Sequence, residues 1–286
     1  MTRQILLAAA GAAMLAAPAL AQSPGIPGVL APGVEVELVQ EGFVFTEGPL
    51  GAADGGLYFT DIRPNKVYLL DPAGKITLVR ENSNGANGLA FMRDGELLMA
   101  EGEGKPFLAP NDLFVDSKGG IYFTDPGPRP VVPGRPTFVF YLAPGAKEPI
   151  LLDGQVARPN GLTLTRDGKT LIVDDTIGPA VFAYEVQSDG TVKNKRTFAQ
   201  LRDIPEGKES GADGLALDNE GRLYITTLPG VQVFDAGGQY LGTIKVPRQS
   251  ANVAFAGPDK RTLYITAREG LYRVKLLAQG VDRVGK

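Results

Sequence analysis

Neither histidine nor cysteine occurs anywhere in the 286 residues. Without histidine there is no Ser–His or Cys–His pair to activate a nucleophile, and without cysteine there is no thiolate. The common routes of covalent acyl transfer are therefore excluded. The same absences remove the ligands zinc prefers and any disulfide. A metal in this chain must be held by oxygens, which favours a hard cation. A dominant charge is missing too: 29 basic and 32 acidic residues give a formal net charge of −3. With no basic stripe, nucleic acid is not an expected partner. Long apolar runs are confined to one stretch, Ile5 to Leu20, which follows the basic start Met1-Thr2-Arg3 and ends in the small residues Ala19-Leu20-Ala21. This pattern predicts a signal peptide over 1–21, cleaved before Gln22, rather than a membrane anchor. The expectation is a single domain over 22–286, periplasmic or secreted, with no membrane anchor. A chain of this length buries a core without disulfides. Its oligomeric state is not written in the sequence.

What is present is a repeat. A polar residue opens an apolar strand, a tight turn follows, and a second apolar strand returns. The copies begin at Glu47-Gly-Pro-Leu, Asn87-Gly-Leu-Ala-Phe, Asn111-Asp-Leu-Phe-Val, Asn160-Gly-Leu-Thr-Leu, Asp213-Gly-Leu-Ala-Leu and Asn252-Val-Ala-Phe. Further strand-like runs follow most copies, as in Lys66-Val-Tyr-Leu-Leu and Ile76-Thr-Leu-Val. Four short strands per unit at a period of about 40–50 residues is the pattern of a propeller blade. The expected fold is all-β, a six-bladed β-propeller whose ring is closed by a strand near Val34 to Val39. One interval departs: Asn87 to Asn111 is 24 positions, against 39 to 53 elsewhere. The second blade is thus expected to be shortened, lacking its outer strands.

In a propeller the first strand of each blade lies innermost, so its opening residue sits at one mouth of the central channel. Those residues are Glu47, Asn87, Asn111, Asn160, Asp213 and Asn252, every one a carboxylate or carboxamide. Oxygens converging on one axis suit a divalent cation, and Glu47 and Asp213 bring the balancing charge. Asn and Asp also open strands by bonding their own backbone, and for Asn87 and Asn252 that alternative stays open. The second strand returns to the same mouth and brings Asp61, Glu101, Asp125, Asp175 and Arg268 to its rim. Most of these are expected to tie hairpins together, with Arg268 a candidate for binding a substrate oxygen.

The segments Thr46-Glu47-Gly48-Pro49, Pro110-Asn111-Asp112-Leu113, Tyr122-Phe-Thr-Asp-Pro126, Arg158-Pro-Asn160-Gly161, Gly211-Ala-Asp213-Gly214 and Ala251-Asn-Val-Ala-Phe255 resemble the senescence marker protein/gluconolactonase/luciferin-regenerating-enzyme family of propellers. The resemblance implies a hydrolase that opens a lactone with one divalent cation. Calcium is favoured, and zinc, magnesium and manganese are alternatives. Glu47, Asn160 and Asp213 match the family's metal ligands, Asp213 also its general base, and Asn111 a group at the metal site or substrate. The implied chemistry is attack of water on a metal-polarised carbonyl of a small-molecule lactone or ester. An aryl-ester or phosphotriester hydrolase with the same site, and a non-catalytic exported ligand-binding propeller, are the rival expectations. Two departures stand out: Ala109 occupies a place where animal members carry arginine, and a longer segment that many bacterial relatives have before Pro110 is missing.

Overall fold

The computed structural model describes residues 23–102, 107–127, 129 and 136–282; the expected signal peptide lies outside them. The strands form five four-stranded antiparallel sheets and a two-stranded one, with no helix named among the described residues. The fold is an all-β propeller. The first strand of each sheet, in chain order, is Thr46–Gly51, Ala86–Phe91, Leu113–Val115, Pro159–Leu164, Leu215–Leu217 and Asn252–Ala256. These strands touch one another in sequence, and the last touches the first, so they line a closed central ring. Glu37–Glu41 pairs with Gly270–Lys275 and completes the final sheet, close to where the sequence placed the closing strand.

Alternation explains each sheet. Along Ala180–Val186, Val181 and Ala183 are buried while Phe182 between them is half-exposed, as a period of two requires. Inward side chains interlock between sheets. Leu171 and Val173 pack with Tyr122 and Tyr141 of the preceding sheet in one apolar cluster. The outermost strands are polar: Val192–Gln200 carries Lys193, Lys195 and Arg196 along an exposed edge, which discourages pairing with another chain.

The expected short unit is the two-stranded sheet of Ala86–Phe91 and Leu97–Glu101. It survives without outer strands because both faces are covered. Leu89, Phe91, Leu97 and Met99 pack on Leu50, Val67 and Tyr58 of the preceding sheet. Ala90, Leu98 and Ala100 pack on Leu113, Val115 and Phe123 of the following one. Phe107 adds an edge-on contact with Phe123, ring centres 5.0 Å apart.

Close packing around the channel also explains the glycine after most opening residues. A Cβ at Gly48 would lie 2.0 Å from the Asn87 carbonyl oxygen, and one at Gly161 would lie 2.1 Å from that of Asp213. Each glycine thus lets the next opening residue approach. Gly161→Ala is expected to cost about 1–3 kcal/mol through overpacking, read as a lower denaturant midpoint at unchanged slope. An unchanged midpoint would show that the inner strands slide apart freely.

Candidate active site

Three of the opening residues are positioned by one repeated device. The carboxylate ending the second strand accepts backbone N–H bonds from the residues just before the opener. Asp61 takes Phe45 N at 2.7 Å, two residues before Glu47. Asp125 takes Ala109 N at 2.8 Å, two before Asn111. Asp175 takes Arg158 N at 3.0 Å, two before Asn160. These three Asp residues have the tying role expected of them. Glu101 instead makes an exposed pair with Arg80 at 3.5 Å. The threonine before the carboxylate bonds across to the next inner strand: Thr60 donates to the Asn87 carbonyl at 3.0 Å and Thr124 to that of Asn160 at 2.6 Å.

With the backbone fixed in this way, the opening side chains converge unequally. Glu47 is buried, and its Oε2 accepts from Gly48 N at 2.9 Å and from Asn252 Nδ2 at 3.0 Å. Asp213 shares a hydrogen bond with Glu47. Burial, then the charges of Glu47, Asp174 and Asp112, hold the Asp213 carboxyl well above the usual carboxylate range. Asn160 is buried; its Nδ2 donates to Thr176 Oγ1 at 3.1 Å, which leaves Oδ1 with no partner. The Oδ1 atoms of Asn87 and Asn111 are likewise buried and unpartnered. Asn252 differs: its Oδ1 accepts its own chain's Val253 N at 2.9 Å, the local bonding that competes with a ligand role, while its amide steadies Glu47.

Asp112 and Asp174 are carboxylates that the sequence reading did not single out, although both depart from the repeat. Asp112 stands where other copies have Gly48, Gly88, Gly161 or Gly214, and Asp174 where they have Thr60, Thr124, Thr226 or Thr266. Both are fully buried and act on Asp213. The buried cation among them is Arg158, whose pKa is lowered by burial and by Arg129 and raised back in part by Asp213. Its Nη1 and Nη2 donate to the carbonyls of Pro126 and Gly127 at 3.1 and 3.2 Å.

Buried acceptors without donors are costly. Asn87, Asn111 and Asn160 present such oxygens, and Glu47 and Asp213 bring carboxylates into contact. This donor set fits a hard cation. Among the described residues no three carboxylates are grouped so as to hold a metal by themselves, so a cation here would need carboxamide oxygens as well as the Glu47–Asp213 pair. Of the four carboxylates, Asp213 is the one that lines the cavity at the mouth of the channel, together with Thr176 and Arg268.

Residues 96–269 match the SMP-30/Gluconolactonase/LRE-like region. The chain belongs to this family. A gluconolactonase from Zymomonas mobilis is 25% identical over 301 residues, covering 88% of this chain and 84% of that protein. A pentonolactonase from Haloferax volcanii is 27% identical over 246 residues, covering 78% and 81%. The solved gluconolactonase from Xanthomonas campestris superposes with a TM-score of 0.74 at 27% identity, covering 85% of this chain and 90% of that one. Membership of this SMP-30/gluconolactonase/LRE-like family places the chain among hydrolases, as the sequence led one to expect.

Proposed function

We propose that this chain hydrolyses a lactone at the mouth of the central channel, using a divalent cation, calcium first, held by Glu47, Asn160 and Asp213. The observation that carries the reading is the set of buried, unpartnered carboxamide oxygens beside two carboxylates in contact. The lactonase names of the relatives support the substrate class. In this reading the two-stranded sheet counts as a blade, which makes six, and residues 22–286 form one exported domain.

A cation bound there would supply Lewis acidity toward the lactone carbonyl. The side chains do the rest. Asp213 faces the cavity, so its carboxylate accepts the proton as a water attacks the carbonyl carbon. Glu47 is kept in place by Asn252 and Gly48 and has no access to the cavity that would make it a competing base. In this reading Asn111 contributes the carboxamide oxygen left buried and unpartnered in the protein, at the metal site or toward the substrate. Thr176 takes the Asn160 amide nitrogen, which leaves the carboxamide oxygen free of any protein partner and able to serve a cation.

The test is a panel of γ- and δ-lactones, aryl esters and phosphotriesters, each run with calcium and after chelation. Calcium-dependent turnover of lactones above the other classes is the expected result. Turnover of phosphotriesters alone would move the chain to another branch of ester chemistry, and turnover indifferent to chelation would remove the cation.

A further inference from the structure

We propose that the substrate of this site carries an anionic group, a carboxylate or phosphate, beside its lactone ring. The proposal rests on the lactonase reading and adds the substrate class. The cavity above Asp213 encloses about 660 Å³, and its wall carries Arg63, Arg129, Lys208 and Arg268 against one further acid, Glu209. This is not bulk composition, since the chain as a whole is net negative. Nor is it a local run of charge, because the four cations come from four separate connections. Arg63 follows Leu57–Asp61, Arg129 follows Ile121–Asp125, Lys208 lies between Val192–Gln200 and Leu215–Leu217, and Arg268 follows Thr262–Ala267. The fold gathers them over one spot.

Two of these cations are committed to the wall. Arg129 pairs with Glu209 at 3.3 Å, which uses the acid. The Arg268 guanidinium lies 4.9 Å from the centre of the Phe45 ring and donates to Gln249 Oε1. Its backbone is left-handed, at φ 54°, a conformation uncommon for a non-glycine residue outside tight turns. Arg268 opens the two-residue turn between the paired Ala267 and Gly270, and Thr46 holds that turn through N–H and hydroxyl bonds to the Arg268 carbonyl at 2.8 and 3.0 Å. Arg63 and Lys208 are exposed, and neither has an ion-pair partner among the described residues.

The chemistry of these groups selects the ligand. Arginine and lysine offer N–H donors and no acceptor. A neutral polyol needs both, whereas a carboxylate or phosphate only accepts and forms charge-assisted bonds. Cations around a recessed mouth also focus the field and speed capture of an anion.

The experiment compares galactono-γ-lactone with galactaro-γ-lactone, which differ in a terminal CH2OH against COO−, and with a lactone phosphorylated at its terminal hydroxyl. The anionic substrates are expected to show kcat/KM at least about tenfold higher, with the advantage shrinking as salt rises. The better of the two anionic arms identifies the group. In the Arg63→Gln/Lys208→Gln double variant the advantage falls, and it falls through KM. Equal or better turnover of the neutral lactone, or an advantage untouched by the double variant, overturns the proposal while leaving the lactonase reading intact. If no lactone is hydrolysed, that reading fails, and calorimetry with galactarate against galactitol decides the anion site by itself. Binding of galactarate weakened by the double variant supports it, and no preference for galactarate overturns it.

Discussion

Asp213→Asn is expected to lower kcat by roughly 10²- to 10⁴-fold, and at the same time to stabilise the metal-free protein by about 0.5–2 kcal/mol. The two effects have one origin. Asp213 sits among Glu47, Asp112 and Asp174, and burial with these neighbours disfavours its charged form. An amide of the same shape leaves no cavity, can still bond Glu47, and removes one member of the cluster. It cannot accept a proton from water. Turnover measured with calcium present, alongside denaturant midpoints measured in chelator, checks both halves. A variant that is inactive and also less stable would mean that Asp213 holds the inner strands together, and its loss of activity would then say nothing about a base.

Calcium added to stripped protein is expected to raise the thermal midpoint by about 5–10 °C when the ion is a hundredfold above its dissociation constant. Binding at that excess stabilises the native state by about 2.7 kcal/mol, and each kcal/mol moves the midpoint of a domain this size by roughly 2–4 °C. The shift should nearly vanish in Glu47→Gln and shrink in Asn160→Ala. Glu47→Gln removes a charge next to Asp213, and Asn160→Ala removes an oxygen that has no other partner. Asn252→Ala should weaken the shift less, because Asn252 spends its oxygen on Val253 N and its amide on Glu47. A full calcium shift in Glu47→Gln would place the ion elsewhere.

The architecture was legible because the repeat is written in opening residues and turn spacing. The short interval from Asn87 to Asn111 announced a sheet that does have two strands. The same logic selected Glu47 and Asp213, which meet in the structure, and Asn160, whose oxygen is buried without a partner. What the sequence hid was the inequality of the ring. Nothing local tells that Asn252 bonds its own backbone while Asn160 leaves an oxygen bare, since that depends on Thr176, just past the paired strand Thr170–Asp175, and on Glu47 from another sheet. Asp112 and Asp174 could have been found by aligning the copies column by column, because each puts a carboxylate where most counterparts have glycine or threonine and none has an acid. Of the cationic wall only Arg268 was placed at the rim from the repeat; Arg63, Arg129 and Lys208 were not readable, because they share no motif and join Arg268 only around one cavity.

The last sheet joins Glu37–Glu41 to Gly270–Lys275, and Asn252 steadies a glutamate 205 positions earlier. Synthesis therefore cannot yield a working partial product. A nascent polypeptide can stack its early sheets, but the circle shuts, and Glu47 acquires its brace, only when the C-terminal strands have emerged. Loss of residues 270–286, which takes away Gly270–Lys275, should act like loss of a keystone, opening the seam beside Glu47 and silencing chemistry at the channel mouth.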